Sequence, residues 1–167
     1  MDKNEFTKKL QRWLITFLTR KFSDNYEIVD IIIPDVYLSK LNNELIKSLP
    51  NYSIWDFKPD ILGILKNKET KEINLVFVNR STSALSLKEI GELQCYARLA
   101  NTKLALLVSL SGISNEVNIL LLEKDIRKRL LNYGDDKDII VFSWDKQSDN
   151  VDPNSIMPLE EREYLTK

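Results

Sequence analysis

The run from Lys103 to Leu110 (KLALLVSL) constrains the fold more than any other segment of the chain. It has the length of a strand and is apolar almost throughout, whereas a strand with one solvated face alternates polar and apolar residues. Continuous apolar strands are typical of a sheet that is covered on both faces. We therefore place this run at the centre of a sheet.

The segments before this run predict a hairpin followed by a helix. Two strands, Ile61 to Leu65 and Glu72 to Val78, are joined by a polar turn. The tetrapeptide Ser86-Leu87-Lys88-Glu89 then has the S-x-x-E form of a capping box, in which the two polar side chains satisfy free amides at a helix start. We expect a helix from here to about Asn101, with its apolar positions packed on the sheet.

The remaining elements follow from apolar periodicity and from the turn residues between segments. In chain order they are a helix from about Asn4 to Phe22, a strand from Tyr26 to Ile33, a short helix or insertion from Val36 to Leu49, a helix from Ser114 or Asn115 to a stop near Gly134, and a strand from Asp138 to Trp144. We expect one domain, residues 1–145, and an irregular C-terminal segment, residues 146–167.

Composition excludes several classes of chemistry. The chain has no histidine, which excludes hydrolases with an imidazole base and histidine-bearing zinc sites. The only cysteine, Cys95, excludes an internal disulfide and suits a reducing compartment. No segment approaches the roughly 20 apolar residues of a membrane span. We therefore expect a cytoplasmic protein without a membrane partner.

The formal net charge of −1 means that nucleic acid could bind only to a local basic face. Two segments could supply one, although a solvated helix surface is the simpler interpretation of either. The first helix carries Lys8, Lys9, Arg12, Arg20 and Lys21, and a later helix carries Lys124, Arg127, Lys128 and Arg129.

Three short motifs stand in the hairpin and in the helix that follows it. Pro59-Asp60 begins the hairpin, the apolar strand from Asn74 ends at Arg80, and Glu92-Leu93-Gln94-Cys95-Tyr96 lies in the helix. Their order resembles the PD-(D/E)xK, or restriction endonuclease-like, nuclease superfamily, whose helix carries a QLxxY motif in several branches. The resemblance implies a three-layer α/β/α fold with a central mixed sheet. It covers roughly Trp55 to Leu110.

The resemblance also implies a site. Nucleases of this family hold Mg²⁺ on carboxylates beside a lysine, at alternate residues of the strand end. Here those two positions are Val78, which cannot bind a metal, and Arg80, which stays protonated and can contact phosphate. Some branches take the second carboxylate from the neighbouring helix, so we predict Asp60 and Glu92 as Mg²⁺ ligands, with Glu89 one turn earlier as a substitute for Glu92. Arg80 is the predicted phosphate contact.

Each of these residues also has a structural interpretation: Asp60 as a carboxylate at a strand start, Arg80 as an ion-pair partner and Glu92 as a surface residue. The function stays open accordingly. The leading hypothesis is a nucleic-acid-acting protein, on DNA in preference to RNA, with Mg²⁺-dependent phosphodiester hydrolysis. The alternative is an inactive nuclease fold that binds nucleic acid or assembles proteins. An unrelated α/β domain and a homo-oligomer are also compatible with the sequence.

Overall fold

A six-stranded mixed sheet lies between two layers of helices, and the computed structural model describes residues 1–167. The helices are α1 (Lys3–Phe22), α2 (Glu44–Lys47), α3 (Leu87–Ala100), α4 (Asn115–Leu122), α5 (Lys124–Leu131) and α6 (Arg162–Thr166). The strands are β1 (Tyr26–Ile32), β2 (Ile61–Asn67), β3 (Ile73–Ser81), β4 (Leu104–Ser109), β5 (Asn132–Gly134), β6 (Lys137–Asp138), β7 (Ile140–Asp145) and β8 (Asn150–Val151). None of the helices combines the length and the apolar composition needed to cross a membrane.

The sheet runs in the order β1-β2-β3-β4-β7-β8. Strand β2 pairs antiparallel with both β1 and β3, whereas β3, β4 and β7 run parallel, and β8 closes the far edge antiparallel to β7. All six residues of β4 are buried, as its continuous apolar sequence predicts. The hairpin and β4 are neighbours, so the predicted central mixed sheet is confirmed.

Each face of the sheet has its own core. Helices α3, α4 and α5 pack on one face, where Phe57, Phe77 and Leu93 are buried. Helix α1 packs on the other face through the apolar stripe that includes Phe6, Leu10 and Leu14. The predicted three-layer α/β/α architecture is therefore confirmed.

The helix predicted from Ser114 to Gly134 is wrong in its extent. The Ser114 side chain caps α4 as expected, but the helix breaks at Glu123, whose backbone is extended. The Glu123 carboxylate accepts hydrogen bonds from the next two free amides and so begins α5 as its N-cap. Gly134 lies in β5 and does not stop a helix. Apolar periodicity continues across the break at Glu123, so the periodicity does not predict where one helix ends and the next begins.

The C-terminal residues 146–167 contain β8, two short 3₁₀ turns and α6. Three of their side chains, Val151, Ile156 and Leu165, are buried in the same core as α1. Backbone hydrogen bonds in both directions also join Met157 to Val141 of β7. The segment thus completes one face of the sheet.

Candidate functional site

Asp60 and Arg80 meet at the edge of the sheet where the parallel strands end. Strand β2 opposes β3 with Ile61 against Val78, so Asp60, one residue before β2, lies beside the end of β3. The Arg80 backbone N–H donates to Asp60 Oδ2 at 2.8 Å, and Arg80 Nη1 lies 3.6 Å from Asp60 Oδ1. Two of the three predicted site residues are therefore in contact, as an ion pair.

Helix α1 fixes the position of the Arg80 guanidinium. Arg80 Nε donates to Thr7 Oγ1 at 2.8 Å, and the Thr7 hydroxyl donates to the Lys3 carbonyl at the same distance. The Arg80 side chain is only 15% exposed, and that of Asp60 is 28% exposed. Thr7 was missed by the sequence analysis, because a threonine in an amphipathic helix carries no signal of a distant partner.

A cavity of about 300 Å³ opens beside this ion pair. Its polar lining is Asn4, Thr7, Lys8, Lys58, Asp60 and Arg80, and Ile33, Pro34 and Pro59 complete its wall. Three of the lining residues are cationic and one is anionic, and the anion is already paired with Arg80. The cavity is therefore electropositive, in a protein whose net charge is −1.

Glu92 does not join this group. It lies exposed on α3 and makes no hydrogen bond or ion pair with Asp60 or Arg80. Alternation along β3 explains the separation, because Arg80 shares a face with Val76 and Val78, which pack in the core of α1. Helix α3 packs on the opposite face.

Glu89, one turn earlier on α3, is the more unusual acid. Burial raises the pKa of Glu89, the Ser86 backbone and hydroxyl lower it, and the charge of Glu92 raises it further. Glu89 Oε2 is buried without a hydrogen-bond partner. The capping box is only partly formed, because the Ser86 hydroxyl accepts no backbone amide and instead faces Glu89 Oε1 at 3.5 Å.

The residues around Asp60 do not fit the predicted Mg²⁺ site. Mg²⁺ in such sites is held by carboxylates together with water and substrate oxygens. Here the only carboxylate is Asp60, both of whose oxygens face Arg80. No three histidine, cysteine, aspartate or glutamate side chains of the chain come together in a way that could hold a metal. What the arrangement offers instead is a fixed guanidinium beside two lysines, which suits a bound anion.

Comparisons with known proteins assign no family. No protein-family model and no curated protein matches the chain. A solved structure described as "MspJI Restriction Endonuclease in Complex with 27-mer Oligonucleotide" is similar at a TM-score of 0.44 with 11% identity. The match covers 85% of this chain and 26% of that one, so the chain spans about a quarter of that protein. At this TM-score the likeness supports neither a family nor an activity.

Proposed function

We propose that the chain is a nucleic-acid-binding module on a restriction endonuclease-like fold, and that it contacts a phosphate in the cavity beside Asp60 and Arg80. The observation that carries the proposal is the fixed position of Arg80, held by Thr7 on one side and by Asp60 on the other. A guanidinium that is already positioned loses little side-chain freedom when it binds a phosphate oxygen.

The charges around Arg80 favour an anion. Lys8 and Lys58 lie in the same cavity, and neither forms an ion pair within the chain. Phosphate groups are neutralised by such side chains with release of counterions, which makes binding weaken as salt rises. Of the two nucleic acids, DNA is favoured by the resemblance of the hairpin and helix motifs.

Hydrolysis is the second function that the sequence motif suggests, and the site gives it less support. Water activation by a metal would need further oxygen ligands near Asp60, and Glu92 is on the other side of the sheet. Mg²⁺-dependent cleavage therefore stays a prediction. The same assay can test both functions.

The assay uses the purified chain with labelled single- and double-stranded DNA and RNA, in Mg²⁺, Mn²⁺ or chelator. We expect salt-sensitive binding without a metal, and no cleavage. Arg80→Gln should weaken binding and lower the slope of log affinity against log salt by roughly 0.7–0.9, the value of one phosphate contact. Asp60→Asn should strengthen binding, because it removes the only negative charge of the cavity.

Lys124→Gln is the matched control, since Lys124 is exposed on α5, across the sheet, and makes no side-chain hydrogen bond or ion pair. An equal loss of affinity in Lys124→Gln and Arg80→Gln would show that nucleic acid responds to the overall charge of the protein and not to the cavity. Metal-dependent cleavage that Asp60→Asn abolishes would instead establish the hydrolase. Absence of binding and of cleavage would leave the protein-assembly role.

A further inference from the structure

A groove runs along α1 beyond the phosphate cavity. Two adjoining cavities of about 530 and 340 Å³ lie between α1 and the C-terminal segment, and they share Trp13, Thr16 and Asn150. Lys9 and Arg12 line the first cavity, and Arg20 lines the second. We call this surface the α1 groove, defined by Lys9, Arg12, Trp13, Thr16, Arg20 and Asn150.

The phosphate cavity and the α1 groove are lined by the same helix but share no residue: the cavity lies towards β1 and β2, and the groove lies towards the C-terminal segment. Lys8, Arg12, Thr16 and Arg20 follow each other at four-residue spacing, which is about 6 Å along a helix. Lys8 lines the phosphate cavity, Arg12 and Thr16 line the first groove cavity, and Arg20 lines the second. Three hydrogen-bond donors with positive charge and one hydroxyl therefore lie in a row.

The α1 groove is electropositive. Arg12 is exposed, and its guanidinium makes no hydrogen bond or ion pair within the chain. The one acid that lines the groove, Asp149, lies 3.0 Å from Lys9 Nζ and accepts a hydrogen bond from Trp144 Nε1 at 3.3 Å. Asp149 is thus largely neutralised, and Arg12 is left to face a ligand.

Trp13 gives the α1 groove an aromatic wall. It is partly exposed, whereas Trp55 and Trp144 are 2% and 4% exposed. Its ring stacks on Phe17 at 5.0 Å between centroids, Phe142 meets it at a tilt at 5.6 Å, and Trp144 meets it edge-on at 6.4 Å. An indole that is held by three aromatic neighbours is rigid, and single-stranded nucleic acid commonly stacks its bases on aromatic side chains.

The second basic face has a different character. Arg98, Lys128 and Arg129, on α3 and α5, lie in a cavity of about 840 Å³. Six carboxylates line the same cavity, from Asp125, Asp135, Asp136, Asp138, Glu160 and Glu161. These acids repel phosphate, so the two basic segments of the sequence are not equivalent.

We infer that the α1 groove binds single-stranded nucleic acid, with phosphates on Arg12 and Arg20 and an unpaired base against Trp13. This inference rests on the proposed function, because it adds a second contact surface for nucleic acid on the helix that also lines the phosphate cavity. It adds a substrate class, since the bases of a duplex are stacked and paired and cannot reach Trp13. A duplex would use the phosphate contacts alone.

Tryptophan fluorescence tests the inference directly, because Trp13 is the accessible tryptophan. The probe is a mixed-sequence single strand of about 16 nucleotides, compared with its annealed duplex. We expect the single strand to quench the emission saturably, with reversal by salt, and the duplex to bind more weakly and quench little. Trp13→Phe keeps an aromatic ring and should abolish the quench while binding, followed by a labelled strand, persists.

Arg12→Gln should weaken single-strand binding about tenfold, with Lys124→Gln as the unchanged control. Trp13→Leu should weaken single-strand binding by a similar factor, and circular dichroism checks that the variant is folded.

An unchanged affinity in Arg12→Gln together with a loss of affinity in Arg80→Gln would overturn the α1 groove and keep the phosphate cavity. A loss of affinity in Arg12→Gln together with an unchanged affinity in Arg80→Gln would support the α1 groove and overturn the phosphate cavity as a binding site. Equal binding and equal quenching by the duplex would overturn the preference for a single strand.

Discussion

Asp60 and Arg80, which the sequence motif predicts as a metal ligand and a phosphate contact, bind each other in the structure. The difference between lysine and arginine has a chemical consequence. Arginine cannot lose its proton in a protein and presents a planar fork of donors, so it contacts phosphate or carboxylate but does not accept a proton from water. The site is therefore suited to binding.

Glu89 gives a prediction at the residue scale. Its pKa is raised above 4.5 by burial, so folding favours the protonated carboxyl. Below the pKa that Glu89 has in the unfolded chain, its protonated carboxyl makes its whole contribution to stability. That contribution is lost as the pH rises through the higher pKa that Glu89 has in the folded chain. We expect Glu89→Gln, which resembles the protonated form, to match the wild type near pH 4 and to be more stable at pH 7.

Urea unfolding at several pH values measures the difference. Glu116→Gln is the control, because it removes an exposed carboxylate from the first turn of α4 and shows the background effect of losing one charge. A Glu89→Gln variant that is less stable than the wild type at pH 7 would mean that the ionised Glu89 stabilises the start of α3 through Ser86.

At the scale of elements, replacement by alanine should have opposite effects on stability at two glycines, Gly63 and Gly91. Gly63 lies in β2 under α1, and a Cβ there would stand 3.0 Å from Val76 Cβ and 3.4 Å from Leu18 Cδ1. Gly91 lies within α3, and a Cβ there would meet nothing within 4 Å. We expect Gly63→Ala to lower the free energy of unfolding by about 1–3 kcal/mol. Gly91→Ala should raise it by about 0.5–1 kcal/mol, because alanine favours helix.

Thermal and urea unfolding measure the free energy of unfolding of both variants. Since each variant adds one methyl group, the difference between them reports the local surroundings of the two glycines. If Gly63→Ala were neutral, α1 could move away from β2 without cost, and the close approach of Leu18 would have no energetic importance.

The elements with a strong local signal could be predicted from the sequence. The hairpin, α3, the central strand β4 and the amphipathic α1 all lie within a few residues of their expected bounds. The break at Glu123 could not be predicted, because a capping carboxylate and a surface glutamate look alike in a sequence.

The candidate site was predicted in part. Asp60 and Arg80 are brought together by strand pairing, which the hairpin pattern implies. The position of Glu92 depends on which face of the sheet carries α3, and that of Thr7 depends on where α1 docks. Both are facts of tertiary packing that neighbouring residues in the sequence do not encode. The α1 groove is a further case, since the C-terminal segment forms the wall opposite α1.

At the scale of the whole molecule, α1 depends on residues from the other end of the chain. Tyr164 meets Phe17 edge-on at 5.7 Å, and Arg20 Nη2 lies 3.5 Å from the Leu165 carbonyl, to which it donates. The helix that supplies Thr7 to the candidate site thus packs against both the sheet and the last residues of the chain. Stability and binding should therefore respond together to changes in the C-terminal segment.

Removal of residues 146–167 tests the domain boundary that the sequence predicts at residue 145. Val151, Ile156 and Leu165 are 7%, 0% and 2% exposed, and burial of such a side chain contributes about 1.5–3 kcal/mol. Three of them are comparable to the whole stability of a domain, about 5–15 kcal/mol. We expect the chain of residues 1–145 to lack a cooperative unfolding transition and to bind a hydrophobic dye on the uncovered face of α1.

A chain that lacks only Thr166 and Lys167, both exposed, should unfold like the full chain. If residues 1–145 instead unfold cooperatively at an unchanged urea midpoint, the boundary at residue 145 is correct and the C-terminal segment is an appendage.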